Sequence, residues 1–148
     1  MANAKIVAVG PGELSLIADL YNQIFSPARD EEYFRRRFHG RYNVSLFVAL
    51  LENQHVGFSI GYELNPWTYY CWLSGVLPDA RRMGVATQLV QAQEAFAADH
   101  EYSMTRFECQ NQHRAMLHLA ISQGYDLVGM RWDTLNAANL AVFEKDLR

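Results

Sequence analysis

Hydrophobic positions recur along this chain with two different periods, and the switches between them lay out a row of elements. Residues 4–9 read as a short strand, closed by Pro11 and Gly12. From Glu13 the spacing changes. Leu14, Ile17, Leu20, Tyr21, Ile24 and Phe25 fall on one face of a helix, which Ser26 and Pro27 stop. A second, more polar helix is expected over 29–38, with Tyr33, Phe34, Arg37 and Phe38 turned partly inward and Gly40 closing it. Ser45 to Leu51 is a continuous apolar run, as suits a strand covered on both faces. After a turn at Asn53 and Gln54, Val56, Phe58, Ile60 and Tyr62 alternate with Gly57, Ser59 and Gly61 at a period of two. The small face of that strand admits something close to the backbone. Asn65-Pro66 turns the chain again, and Thr68 to Val76 is the third strand of this set.

Leu77-Pro78-Asp79 leaves that strand for a long helix with Val85, Leu89, Ala92 and Phe96 on one face. Ser103 to Cys109 is a strand. Asn111 to Gln123 is a helix, ended by Gly124 in the place of a left-handed C-terminal cap. Tyr125 to Trp132 and Ala138 to Lys145 are final strands across an Asn-rich loop. The order β-α-α-β-β-β-α-β-α-β-β predicts an α/β fold of the mixed α+β kind, with helices on both faces of a mixed sheet. No repeat or linker divides the 148 residues, so one domain over 1–148 is expected.

Charge narrows the function classes. The formal net charge is -3, without the basic excess of a dedicated nucleic-acid binder. The acidic run Asp30, Glu31, Glu32 precedes Arg35, Arg36, Arg37 at helical spacing, which predicts mutual pairing on a solvated face. Cys71 and Cys109 sit in apolar runs with no C-x-x-C, so neither a disulfide framework nor a zinc site is signalled. No His, Cys, Asp or Glu pair has metal-ligand spacing, and no metal is expected. No apolar run approaches the length that crosses a bilayer. The N-terminal stretch reads as a first strand rather than a leader. A cytoplasmic protein without membrane or nucleic-acid partners is the expectation.

The sharpest signal is the segment Val76-Leu77-Pro78-Asp79-Ala80-Arg81-Arg82-Met83-Gly84-Val85-Ala86-Thr87. A strand ends, a short turn follows, and small residues open a helix. The first N–H groups of a helix lack internal partners and sit at the positive end of its dipole. With Gly84 and Ala86 keeping side chains away, those groups can approach an anion, and Arg81 and Arg82 add charge. This is the make-up of a pyrophosphate cradle. It has one Gly and one Ala, and it lies past the middle of the chain after several strands, unlike a dinucleotide-binding turn.

Here the sequence resembles the GNAT superfamily of N-acetyltransferases. Its coenzyme-A loop reads Arg/Gln-x-x-Gly-x-Gly/Ala after a strand ending in Val-x-Pro. Arg81, Gly84 and Ala86 match residue by residue, and Val76 and Pro78 match the lead-in. The order of elements and the last strand, Leu140 to Lys145, extend the resemblance over essentially the whole chain. The resemblance implies acetyl-CoA as co-substrate, bound by Val76, Arg81, Arg82, Met83, Gly84, Val85, Ala86 and Thr87, where two central parallel strands splay apart. It implies transfer of the acetyl group to a primary amine of a small molecule or peptide, with the Val76 N–H facing the thioester carbonyl. A homodimer is plausible by analogy with the family.

An amine of lysine type has a pKa of about 10.4 and must lose a proton before attacking, directly or through water. The family position that holds a glutamate base in some members is Tyr70 here. Tyr70, Trp72 and Ser74 alternate with Cys71 and Leu73, which places hydroxyls on one face. Tyr70 either relays a proton or lines the pocket with Trp72. Glu108, on the neighbouring strand, either faces solvent or has a role, because a buried unpartnered carboxylate is costly. The family's acid tyrosine, four residues before the helix-ending Gly, is replaced by Ala120. That leaves open a non-catalytic acyl-CoA-binding module. His113, with Asn111 two before it, holds the place of a pantetheine-contacting asparagine. His118 lies roughly opposite Ala120 and is expected at the surface or in packing. The acceptor is expected near Tyr21, Phe25, Glu32, Tyr33, Trp72 and the 133–139 loop, where aromatics and scattered acids suit a small cationic amine.

Overall fold

The computed structural model describes residues 3–148. Its strands are β1 (Lys5–Val9), β2 (Ser45–Leu51), β3 (Gln54–Asn65), β4 (Thr68–Val76), β5 (Met104–Gln110), β6 (Asp126–Asp133) and β7 (Ala138–Asp146). They form one seven-stranded sheet in the order β1-β2-β3-β4-β5-β7-β6. Neighbours are antiparallel except β4 and β5, which run parallel. The helices are α1 (Leu14–Ile24), α2 (Glu31–Phe38), α3 (Val85–Asp99) and α4 (Arg114–Ser122). This is the mixed α/β fold that the order of elements predicts. Among the described residues no helix is long and apolar enough to cross a membrane.

The apolar stripes decide which face each helix covers. Leu14, Ile17 and Leu20 of α1 and Phe34 of α2 pack with Leu46, Val48, Phe58 and Ile60 on one face of the sheet. Val85 and Leu89 of α3 pack with Ala49 and Val56 on the other. Ala120 of α4 closes a further cluster with Val90, Phe107, Cys109, Ala141 and Phe143 on that same side.

The inward face of α3 differs from its expected one. Ala92 and Phe96 are only partly covered, whereas Gln93 is fully buried. A buried amide needs partners. Ser45 Oγ donates to Gln93 Oε1 at 2.7 Å, and Gln93 Nε2 donates to Ser59 Oγ at 2.9 Å. The small face of β3 is what admits it. A Cβ on Gly61 would lie 2.6 Å from a Tyr69 ring carbon and 2.7 Å from Gln93 Oε1. Gly61→Ala is therefore expected to destabilise the fold by about 1–3 kcal/mol in urea unfolding, the usual cost of overpacking. An unchanged midpoint would show that α3 can shift to make room.

Two further boundaries move. Residues 111–113 form a turn rather than the start of α4. His113 N–H donates to Gln110 O at 2.9 Å, and Asn111 N–H donates to Asn139 O at 3.2 Å. That tie to the β7 strand keeps Asn111 out of the helix. In α2, Asp30 caps the first turn by accepting from the Tyr33 N–H at 3.0 Å. Of the three arginines expected to pair along this helix, only Arg35 does so, with Glu31 at 3.6 Å and Glu32 at 3.1 Å. Arg37 lies against the sheet instead, while staying exposed. Its Nε donates to Tyr62 Oη at 3.1 Å, and its guanidinium carbon lies 4.7 Å from the centre of the Trp72 ring.

Candidate active site

A single extra residue opens the sheet. Along the β3–β4 ladder, Ile60 faces Leu73 and Gly61 faces Cys71, so Trp72 is a bulge. Bulges bend a strand, raise its twist and re-aim its side chains. The β4–β5 pairing stops just before this point, after Thr68↔Met104, Tyr69↔Thr105 and Tyr70↔Arg106. Beyond Tyr70 the two parallel strands splay. The bulge also corrects the expected alternation. Leu73 joins Trp72 in packing toward α1 and α2, and Ser74 lies opposite Ser59 on the other face. The hydroxyls of Tyr70 and Ser74 therefore do not share a face.

The end of β4 presents its backbone to the gap. Leu77 N–H donates across to Val56 O at 2.8 Å. N–H and C=O of one strand residue point to the same edge and alternate from residue to residue. Val76 therefore directs both groups away from β3, and its C=O accepts from Arg81 Nε at 3.2 Å. The chain then makes a short 3-10 turn, Pro78–Ala80, and enters α3 through Arg82 at φ 64° and Gly84 at φ 82°. Gly84 is the N-cap and supplies no side-chain cap. The first N–H groups of α3, on Val85, Ala86 and Thr87, are thus left open to an external acceptor. His113 sits at the edge of the gap. Burial lowers its pKa, and the nearby Arg81 charge lowers it further, so at neutral pH the ring is uncharged.

Tyr70 and Glu108, read separately from the sequence, meet in space. The Tyr70 hydroxyl donates to Glu108 Oε1 at 3.2 Å. The Glu108 side chain is only 7% exposed and is held by two guanidiniums. Arg131 approaches Oε1 at 2.7 Å from β6, reaching over β7, and Arg106 approaches Oε2 at 3.3 Å. Arg106 Nη1 also lies 3.5 Å from Glu144. Hydrogen bonding to Glu108 raises the Arg131 pKa. Burial, then the Glu108 charge, pushes the Tyr70 pKa up, so the phenol keeps its proton at neutral pH.

A cavity of about 430 Å³ runs through the gap. Four of the five residues expected at the acceptor, Tyr21, Phe25, Tyr33 and Trp72, line it together with Tyr70, Glu108 and His113. Asn111 does not line it, and Glu32 lies outside it in an adjoining cleft, bound to Arg35. Arg37 and Arg131 line the cavity as well and were not predicted there. Arg106 has a readable signal, since it sits two residues from Glu108 on the same face of β5. Arg131 has none, because its approach depends on the strand order β5-β7-β6. Cys71 and Cys109 also reach the cavity. Burial pushes their thiols up to about 12 and about 11. Ala120 is fully buried in the cluster beneath, and His118 is exposed. Among the described residues no group of three or more His, Cys, Asp or Glu is placed to hold a metal ion.

The family model described as the acetyltransferase (GNAT) family matches residues 14–125, a span that runs from α1 through the loop and α4. The chain belongs to this family. GNAT members are acyltransferases that act on amines. Solved structures share the fold at low identity. The ribosomal-protein-S18-alanine N-acetyltransferase from Escherichia coli has a TM-score of 0.82 at 15% identity, over 98% of this chain and 94% of that one. The structure of yncA from Salmonella typhimurium with its cofactor acetyl-CoA has a TM-score of 0.79 at 13% identity, again over 98% and 94%. An N-acetyltransferase from Staphylococcus aureus Mu50 has a TM-score of 0.77 at 20% identity, over 99% and 100%. No curated protein sequence matches the chain.

Proposed function

We propose that this GNAT protein transfers an acetyl group from acetyl-CoA to a primary amine of a small molecule or peptide, by direct attack in a ternary complex. The observation that carries the reading is a juxtaposition. The splayed gap between β4 and β5 contains a cavity holding the Tyr70–Glu108 pair, and β4 leads from that gap into the uncapped N-terminus of α3 at Gly84.

The residues present fit the donor. The free N–H groups of Val85, Ala86 and Thr87 suit a pyrophosphate, with Arg81, Arg82 and Met83 around them. Only a residue without a Cβ adopts the Gly84 backbone there at no cost. His113 lines the cavity and would be the residue beside a pantetheine arm. Bound acetyl-CoA would supply an acetyl thioester as the electrophile for the amine nitrogen, with the coenzyme A thiolate as leaving group. The Val76 N–H, aimed into the gap, is the donor available to that carbonyl oxygen.

Tyr70 and Glu108 divide the proton work. Glu108 accepts from three donors, which fixes its position and orients the Tyr70 hydroxyl. The phenol stays protonated, so it serves as a relay, accepting a proton from the amine or a water while passing its own toward Glu108. Burial raises both cysteine thiols, to about 12 and about 11, which keeps them protonated at neutral pH and disfavours them as nucleophiles. This favours direct transfer over an acyl-enzyme.

Ala120 supports a second reading, a coenzyme-A-binding module without turnover, because no hydroxyl stands at the family's acid position. The chemistry tolerates this absence. A thiol has a pKa of about 8.5, so its thiolate departs without strong acid assistance. Release of coenzyme A thiol that requires both protein and amine separates the two readings.

A further inference from the structure

The acceptor side of the cavity is built for a negative charge as well as for an amine. Arg37 is the centre of it. Its Nε is spent on Tyr62 Oη, and its plane lies against Trp72. Among the described residues its two Nη groups have no acceptor, and no carboxylate lies within salt-bridge distance. A guanidinium held by one edge and one face presents its remaining edge as a fixed fork, the geometry that takes a carboxylate by two hydrogen bonds.

The surroundings add to this rather than cancel it. Arg37, Tyr33 and Leu135 also border an adjoining cleft of about 910 Å³, whose wall carries Arg29 and Arg36. Arg29 lies over the Tyr33 ring at 4.5 Å and, like Arg36, has no salt bridge among the described residues. The acids nearby are already engaged. Asp30 caps the Tyr33 N–H, and Glu32 binds Arg35. Asp133 accepts from the Leu135 N–H and from Asn136 Nδ2, and Glu108 is held by Arg106 and Arg131. A chain of net charge -3 thus keeps unpaired arginines at the mouth of one cavity.

Resting on the acetyltransferase reading, we infer that the acceptor is an amine that also bears a carboxylate, held by the free edge of Arg37, with its body against Tyr33 and Trp72. This replaces the small cationic amine expected from the sequence. Arg37 is the residue that sets this specificity.

The test uses matched pairs. Amino acids with aliphatic, aromatic, acidic and basic side chains are each compared with the amine left by removing the α-carboxyl group. An amidated dipeptide whose one carboxylate is an Asp or Glu side chain tells a side-chain source from an α-carboxylate. Wild type, Arg37→Gln and Arg37→Lys are assayed with saturating acetyl-CoA. At least one carboxylate-bearing amine should exceed its partner by roughly tenfold or more in kcat/KM, since a charge-assisted two-bond pair is stronger than a neutral hydrogen bond and the decarboxylated amine cannot form it. Arg37→Gln should erase that preference through KM, costing the carboxylate-bearing amine far more than its partner, and Arg37→Lys should restore part of it. Equal or better turnover of the decarboxylated amines throughout, or an equal loss for both members in Arg37→Gln, overturns the inference. Calorimetric titration of the same acids and amines, with and without coenzyme A, reads the carboxylate site even if no acetyl transfer occurs. There, acids that bind no better than their amines overturn the inference, whereas Arg37-dependent acid binding without turnover sustains it and removes the transferase reading alone.

Discussion

Gly84→Glu is expected to raise the dissociation constant for acetyl-CoA by at least about 100-fold, roughly 2.7 kcal/mol of binding free energy. Two effects act together. Gly84 has φ 82°, and an L residue in the left-handed region costs about 1–2 kcal/mol. The new carboxylate would also stand at the uncapped N-terminus of α3, where it can take the free N–H groups itself and repel a pyrophosphate. Gly84→Ala separates the two. It carries the strain without the charge, and should lose stability in urea while keeping acetyl-CoA binding within about tenfold. Calorimetric titration measures both. Wild-type affinity in the glutamate variant would move the donor site away from this helix.

Tyr70→Phe carries the second large effect. Phenylalanine keeps the ring packed 5.6 Å from Tyr62 and removes only the hydroxyl that donates to Glu108. Glu108 still has both arginines, so the fold should hold. The expected result is a fall in kcat of about 10²-fold, the usual worth of one positioned proton-transfer group, with acetyl-CoA affinity unchanged. An unchanged kcat would reduce Tyr70 to pocket lining and leave the amine to lose its proton to solvent.

The sequence made much of this legible, for physical reasons that are local. Strand and helix periods follow from burial, so the order of elements could be read directly. The loop from Val76 to Thr87 could be read because an anion cradle at a helix start needs small residues in sequence, not across space. What stayed hidden depends on packing between elements. The Trp72 bulge shifts Leu73 and Ser74 to faces that strict alternation does not give. Gln93 resembles a surface residue until Gly61 makes room for it and Ser45 and Ser59 bind it. Tyr70 and Glu108 were each singled out, but their contact exists only because β4 and β5 are neighbours over three residue pairs. Arg37 reads from its spacing both as partly inward and as one of three arginines facing three acids, and only the fold shows its guanidinium against Trp72.

The most direct measurement is thiol release from acetyl-CoA by the purified protein with a panel of amines, with mass spectrometry of the amines. Release should require protein and amine together, be matched by one acetyl group added to the amine, and be greatly slowed in Gly84→Glu. Tight acetyl-CoA binding with no release above the buffer rate for any amine in a broad panel would contradict the acetyltransferase reading. That result would make the chain a coenzyme-A-binding member of the family, with Ala120 as the change that marks it.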